Sequence, residues 1–315
     1  MTSQLIETSK GPIEYAILGQ GPAVLVIHGC SGGYDQGLMA ARLVHGHGFQ
    51  FIVLSRPGYL RTPLRVGATP EAQADAYAAL LDALEISQAA IIGISAGGPS
   101  ALQFASRHPE RCWALATLSA ISKCLSRSEL AKCKSHLRRS LLILGLAYNL
   151  AKNLAFVTTQ KWRDLWLSKN PRNKKYEFQA LNQQMNLHLF LGLLRSFRMT
   201  SSQKDGLQND MNQLLTMPTY PLADITAPTL VLHGCADRLV SLKHAKWIAN
   251  TVSNAKLIAV EGGGHLFFTT HKHQVVSAII KFLNHYARSI QCDSKDLKNA
   301  IALETVSEFP SSVLN

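Results

Sequence analysis

Apolar residues in the first third of the chain form short continuous runs that alternate with helically spaced sets. The runs are bounded by Gly and Pro residues, and they predict buried strands at Ile13–Leu18, Ala23–Ile27, Phe51–Leu54, Ala89–Ile94 and Cys112–Leu118. Apolar residues at helical spacing predict one helix that begins at Pro70, with Thr69 as its N-cap. A second helix is predicted at Ala96–Arg107. Strands that alternate with helices predict a mostly parallel sheet with helices on both faces.

The same alternation returns after residue 227. It predicts strands at Thr229–Leu232 and Lys256–Val260, and helices at Leu242–Val252 and His271–Ala287. Between the two halves, about 100 residues show only helical runs, such as Leu141–Val157 and Phe178–Phe197. We therefore predict an α/β core at 1–120 and 221–288, a helical insertion at 121–220 and a polar C-terminal tail at 289–315.

Composition narrows the class of protein. The chain has 315 residues, 47% hydrophobic and 17% charged, which excludes disorder, collagen and coiled coil. No apolar run has the length of a membrane span, and the first ten residues lack the apolar core of a signal peptide, so we expect a soluble, cytoplasmic protein. Six cysteines without a CxxC pair predict neither a disulfide scaffold nor a zinc site.

Positive charge is concentrated in the insertion. Residues 121–220 hold 16 Lys and Arg against five Asp and Glu, whereas the net charge of the whole chain is +12. Basic clusters at 132–134 and 172–175 suit a weak contact with an anionic membrane surface or an anionic ester, although a solvated basic face is the simpler explanation. No nucleic-acid-binding signature accompanies the charge. Trp162, Trp166 and Phe197 fit either an apolar pocket or the core of the insertion.

Ser95 is the candidate nucleophile. The sequence Gly93-Ile94-Ser95-Ala96-Gly97 follows an apolar run and opens a helix. A sharp strand-to-helix turn needs small residues two positions before and after the serine, and it exposes the hydroxyl above the sheet edge. The pattern therefore predicts a nucleophilic serine.

A serine hydroxyl needs a base, and the base needs an orienting acid. Of 12 histidines, only His265 lies just past a predicted strand in a glycine-rich loop. The acid is expected between Ser95 and His265 in the chain, and Asp237 lies five residues past a strand end. Asp224 precedes that strand and Glu261 shares the loop of the histidine, so both fit less well.

Two N–H donors are needed for the oxyanion of a tetrahedral intermediate. One candidate is the N–H of Ala96, which follows the serine. The other is the N–H of Cys30, in the loop His28-Gly29-Cys30-Ser31-Gly32-Gly33 after the second predicted strand. These two residues are the predicted oxyanion hole.

Five motifs in order resemble the α/β-hydrolase superfamily. They are HG-C-SGG, SRPGY at 55–59, G-x-S-x-G, HG-x-x-D and GGGH, and the resemblance covers 13–120 and 227–286. It implies the branch with a Ser95-Asp237-His265 triad and a helical cap over the active site, and it implies a mostly structural role for His28. The chain departs from the family pattern at Leu60 and Thr62, where related proteins often carry glycine and serine.

These observations predict a cofactor-free serine hydrolase. Its expected reaction is cleavage of a small-molecule carboxylic ester with an apolar acyl or alcohol group through an acyl-Ser95 intermediate. Fold does not fix function, so three alternatives stay open: a C–C bond hydrolase, an acyltransferase, or a ligand receptor with slow or absent hydrolysis.

Overall fold

The computed structural model describes residues 2–132, residue 135 and residues 201–288 of the chain. The predicted helical runs at 141–157 and 178–197, the basic cluster at 172–175, the three insertion aromatics and the tail at 289–315 lie outside these residues. Cap and domain boundaries therefore stay predictions.

The core of the molecule is one eight-stranded sheet. In spatial order the strands run β1-β2-β4-β3-β5-β6-β7-β8. β1 and β2 pair antiparallel with their neighbours, and all other pairs are parallel. The strands are β1 Gln4–Thr8, β2 Gly11–Leu18, β3 Ala23–Ile27, β4 Gln50–Leu54, β5 Ala89–Ile94, β6 Cys112–Leu118, β7 Thr229–Gly234 and β8 Ala255–Val260.

Helices follow the strands along the chain. They are α1 Tyr34–Val44, α2 Pro70–Ala83, α3 Gly98–Arg107, α4 Lys204–Thr216, α5 Leu242–Thr251, α6 Phe267–Thr270 and α7 at 272–288, with a further helical segment at 127–132. At the start of α2, Thr69 Oγ1 accepts a hydrogen bond from Ala72 N at 3.2 Å, and Pro70 occupies the first turn. No helix in 2–132 or 201–288 is long and apolar enough to cross a membrane.

Two apolar layers cover the sheet. One face packs against α1 and α7, through buried residues such as Leu38, Val44, Ile279 and Leu283. The other face packs against α2, α3, α4 and α5, through residues such as Leu80, Leu102, Leu214 and Ile248. Because both faces are covered, the central strands β3, β5 and β6 are fully buried, as their continuous apolar runs predicted.

The predicted fold class is confirmed, and the structure adds elements that were not predicted, among them one strand and one helix near the start of the chain. β1 was not predicted, and it is a mostly exposed edge strand. α1 was also not predicted, because Gly37 interrupts its pattern. That glycine lies against the sheet, where an added Cβ would stand 3.2 Å from Val53 Cβ. α3 begins at Gly98 rather than Ala96, since a tight 3₁₀ turn at Ser95–Gly97 precedes it.

Candidate active site

Ser95 occupies a strained turn between β5 and α3. Its φ of +51° lies in the left-handed region, which non-glycine residues rarely adopt. A Cβ on Gly93 would lie 2.5 Å from Ala101 Cβ, and one on Gly97 would lie 2.5 Å from His28 O. The turn therefore closes only with small residues at 93 and 97, as the motif predicted.

The loops that carry Asp237 and His265 pack directly against each other. An added Cβ on Gly234, at the end of β7, would lie 2.2 Å from Gly263 O in the loop after β8. Ala236 N donates to the same oxygen at 2.8 Å. Ser119 Oγ, beyond β6, donates to His265 O at 3.1 Å. These contacts bring both loops to the carboxyl edge of the sheet, beside Ser95.

A continuous chain of hydrogen bonds joins the three predicted residues. Ser95 Oγ lies 3.0 Å from His265 Nε2, and His265 Nδ1 lies 2.8 Å from Asp237 Oδ2. Ser95 is half-buried, and the His265 side chain is 16% exposed. The serine and its histidine partner are thus within reach of solvent. A hydroxyl, an imidazole and a carboxylate in this order can activate serine as a nucleophile.

Asp237 is held as a carboxylate. Its side chain is buried, and burial alone would raise its pKa. The charge of His265, together with hydrogen bonds from His233, His265 and the N–H of Val240, instead holds the pKa of Asp237 well below its usual value. Oδ1 accepts from Leu239 N at 2.9 Å and from Val240 N at 3.0 Å. The alternatives Asp224 and Glu261 are exposed, and Asp237 occupies the position beside His265.

His233 is a second histidine beside Asp237. Its Nε2 lies 3.0 Å from Val240 O and 3.4 Å from Asp237 Oδ2, and the side chain is buried. His233 belongs to the HG-x-x-D motif, which by itself predicts no role for it. The four-residue spacing between His233 and Asp237 was the signal that could have found this contact.

The 28–33 loop lies against the serine. An added Cβ on Gly29 would stand 3.1 Å from Ser95 Cβ. Gln36 in α1 supports the loop, because its Oε1 accepts from Gly29 N at 2.7 Å and its Nε2 donates to Cys30 O at 3.5 Å. Ala96 follows Ser95 directly, in the 3₁₀ turn Ser95–Gly97. The two predicted oxyanion donors, Cys30 and Ala96, therefore belong to segments that meet at the serine.

His28 is fully buried at the start of this loop. Its Nδ1 lies 2.7 Å from Gly29 O, and its Nε2 accepts a hydrogen bond from Arg56 N at 2.9 Å. Burial lowers the pKa of His28 well below its ordinary value, and the nearby Arg56 charge lowers it further. A neutral imidazole that bonds only to main chain fits the structural role implied by the resemblance.

A buried ion pair lies behind the 28–33 loop. Arg56, just after β4, donates from Nη1 to Asp210 Oδ1 at 2.9 Å, and both side chains are at most 5% exposed. Tyr59 OH donates to Asp210 Oδ2 at 2.6 Å. Burial lowers the pKa of Arg56, but Asp210 and Tyr59 raise it more, so the guanidinium stays charged. The sequence places Arg56 in the SRPGY motif but predicts no role for Asp210, because no motif surrounds that residue.

The sheet and the serine turn define a class of protein. A mostly parallel sheet with helices on both faces, and a serine on a strained turn after a central strand, are typical of α/β hydrolases. The model of the alpha/beta hydrolase fold family matches residues 22–272, most of the chain. The chain therefore belongs to the alpha/beta hydrolase fold family and is a hydrolase of that fold, as the resemblance predicted.

Individual relatives agree with this family. The chain is 28% identical to an uncharacterized hydrolase, YcgS, of Bacillus subtilis, over 84% of this chain and 92% of the relative. It is 28% identical to a pimeloyl-[acyl-carrier protein] methyl ester esterase of Chromobacterium violaceum, over 86% and 97%. Among solved structures, an alpha/beta hydrolase fold protein of Nakamurella multipartita matches with a TM-score of 0.74 and 32% identity, over 90% of this chain and 99% of that one.

Proposed function

We propose that this hydrolase cleaves a carboxylic ester through an acyl-Ser95 intermediate. The observation that carries the proposal is the hydrogen-bonded chain from Ser95 Oγ through His265 to Asp237, with spacings of 3.0 and 2.8 Å. Similarity to a methyl ester esterase supports an ester rather than another acyl compound as substrate. The preferred ester carries an apolar acyl or alcohol group.

The proposed reaction begins at the serine. Ser95 Oγ attacks the ester carbonyl carbon while His265 Nε2 takes the hydroxyl proton, and Asp237 stabilises the imidazolium through Nδ1. The carbonyl electron pair moves to oxygen, where the N–H groups of Cys30 and Ala96 donate to the oxyanion. Collapse breaks the bond to the leaving alcohol, which receives the proton from His265. Water then repeats the sequence and releases the acid.

A serine-directed probe tests the first step. An alkyl fluorophosphonate should label the protein once, at Ser95, and Ser95→Ala should abolish the labelling because no other activated hydroxyl is proposed. Peptide mapping by mass spectrometry identifies the modified residue. Absence of labelling in a folded protein would favour a ligand receptor over an enzyme.

A panel of p-nitrophenyl esters of increasing acyl length tests the bond and the substrate class. We expect kcat/KM to rise from acetyl toward medium chains, since each buried CH₂ contributes about 0.8 kcal/mol. Labelling without hydrolysis of any ester would instead point to C–C bond hydrolysis or to acyl transfer. Transfer is recognised by an ester product when a second alcohol is added.

The basic region is a separate proposal. We infer from its sequence that residues 121–220 make weak contact with anionic membrane surfaces or anionic substrates, and that the protein is cytoplasmic. Charge reversal at Arg172, Lys174 and Lys175 is the direct test, because these residues supply positive charge to one of the two basic clusters. The triple variant should lose binding to anionic vesicles at about 0.05 M salt, where the screening length is roughly 14 Å. Unchanged vesicle binding would remove this cluster from the proposal.

A further inference from the structure

The carboxylate of Asp210 accepts hydrogen bonds from three side chains, which belong to two separate parts of the chain. Asp210 lies in α4, and it accepts from both terminal nitrogens of Arg56, from Tyr59 OH and from Cys30 Sγ at 3.5 Å. Cys30 is one of the two predicted oxyanion donors. A residue 180 positions further along the chain thus contacts the side chain of the residue whose N–H is proposed to bind the oxyanion.

Arg56 connects the same carboxylate to the main chain of the 28–33 loop. Its backbone N donates to His28 Nε2 at 2.9 Å, and its Nη2 donates to Gly29 O at 3.4 Å. The Tyr59 ring meets the His28 ring edge-on, with centroids 4.9 Å apart. Three consecutive residues, His28, Gly29 and Cys30, are therefore held by the Arg56–Asp210 pair and its neighbour Tyr59.

A contribution to stability explains the buried Arg56–Asp210 pair poorly. Removing two charges from water is costly, and well-packed apolar residues often replace a buried ion pair without loss of stability. Position gives a stronger reason. Gly29 lies against Ser95, so a shift of the loop by a fraction of an ångström changes the distance from Cys30 N to the oxygen of a bound acyl group. Oxyanion stabilisation is sensitive to such shifts, because its donors must already be aimed before the charge forms.

We infer that Arg56 and Asp210 are positioning residues that hold Gly29 and Cys30 so that the Cys30 N–H points at the oxyanion formed on acyl-Ser95. This inference rests on the proposed ester hydrolysis. The pair touches no reacting atom and acts through the loop. Its loss weakens binding of the transition state and leaves binding of the ground-state ester nearly unchanged.

The test replaces the pair in two ways. Asp210→Asn keeps the shape of the side chain and removes its charge, and the double variant Arg56→Met/Asp210→Leu removes both charges and keeps apolar volume, which favours folding. Glu14→Gln is the matched control. Glu14 is also a buried carboxylate that pairs with an arginine, Arg61, but none of its hydrogen-bond partners belongs to the 28–33 loop.

Kinetics and an inhibitor separate positioning from simple destabilisation. For the folded fraction of both Asp210 variants, we expect kcat on a p-nitrophenyl ester to fall roughly 10- to 100-fold, with KM within about threefold of wild type. The affinity of an alkyl trifluoromethyl ketone, which forms a tetrahedral oxyanion on serine, should fall by the same factor as kcat/KM. Glu14→Gln should match wild type in kcat and inhibitor affinity.

Wild-type protein supplies the reference for the underlying reaction. If wild type is neither labelled by fluorophosphonate nor active on esters, the proposed function fails and the inference fails with it. If wild type is active and either folded Asp210 variant retains wild-type kcat and inhibitor affinity, the inference alone is overturned. Loss of activity explained by a higher KM would also overturn it, since that pattern indicates substrate binding rather than positioning.

Discussion

The serine turn at 93–97 is held by main-chain packing, whereas the 28–33 loop opposite it is held by side chains from distant parts of the chain. In the serine turn, Gly97 packs directly on the carbonyl oxygens of Ile27 and His28. Ser95 O accepts from Ile121 N at 3.0 Å. These contacts need no particular side chain, only the absence of one at the glycines.

The 28–33 loop depends on specific polar side chains. Gln36, Arg56 and Asp210 bind its main chain or its cysteine, and they come from α1, the segment after β4 and α4. A backbone packed by glycines has few alternative arrangements, but a backbone held by side chains can shift when one partner changes. The two sides of one site should therefore respond differently to substitution and to pH.

The largest expected effect is loss of the nucleophile. Ser95→Ala or His265→Ala should lower kcat on an activated ester by on the order of 10⁴-fold or more, because these residues act as one unit. Asp237→Asn should lower kcat by roughly 10³- to 10⁴-fold, since the amide favours the wrong imidazole tautomer. Steady-state kinetics with purified protein measures these losses. Retention of activity in Ser95→Ala would contradict the proposed mechanism.

The next largest effect is expected from a substitution that disrupts the packing of the serine turn against the start of the 28–33 loop. Gly97→Ala places a Cβ 2.5 Å from His28 O and 2.7 Å from Ile27 O. These are backbone atoms at the end of the buried strand β3, and they cannot move aside as a flexible side chain can. We expect a loss of roughly 3 kcal/mol in the free energy of unfolding, measured with urea. Gly46→Ala is the control, because no atom of the described residues lies within 4 Å of its new Cβ, and its φ of +93° is what opposes alanine. That control should cost about 1 to 2 kcal/mol.

A smaller effect is expected from pH, which should change the stability of the 28–33 loop and of the serine side over different ranges. His28 supports the loop only as a neutral imidazole, and its folded pKa lies well below its ordinary value of 6.5. Just below pH 6.5, His28 is protonated in the unfolded chain but stays neutral in the folded chain. Stability is thus fully present above pH 6.5 and falls as pH drops below it, by up to about 1.4 kcal/mol per unit. The pKa of Asp237 is also lowered, but from an ordinary value of 3.8. The loops around Ser95 and Asp237 therefore lose stability only at a lower pH than the 28–33 loop does.

Urea unfolding between pH 5 and 8 measures this difference. His28→Gln can still accept from Arg56 N and does not titrate, so its stability should depend less on pH than that of wild type. His244, whose pKa burial lowers to about 4, contributes its own slope to both proteins and cancels in the comparison. Equal slopes for wild type and His28→Gln would show that His28 accepts its proton in the folded state.

The smallest effect is expected at a partly exposed arginine–aspartate pair, Arg107 and Asp75. Arg107 binds both oxygens of Asp75, but the two side chains are 43% and 26% exposed. Water screens such a pair, so Asp75→Asn should cost about 0.2 to 1 kcal/mol in urea unfolding and leave kcat unchanged. Removal of one partner from the buried pair, as in Asp210→Asn, should cost about 3 to 5 kcal/mol. Equal costs at the two pairs would contradict this distinction.

Local patterns determined the parallel sheet and the candidate nucleophile, base and acid. Buried parallel strands are continuous apolar runs, and all five predicted before residue 120 lie in the observed sheet. Ser95, Asp237 and His265 each follow a strand end, and parallel strands bring their carboxyl ends to one edge. Edge strand β1 was not predicted because its mostly exposed residues show no apolar pattern. α1 was not predicted because Gly37, which has a low helix propensity, is needed there for close packing against the sheet.

Only the tertiary structure decided which side chains hold the oxyanion loop. Asp210 lies in a polar helix without a motif, and nothing within several residues of it indicates that it meets Arg56, Tyr59 and Cys30. The physical reason is range: a strand or a tight turn is specified by neighbours in sequence, whereas a buried charge is specified by whichever partner the completed fold brings to it.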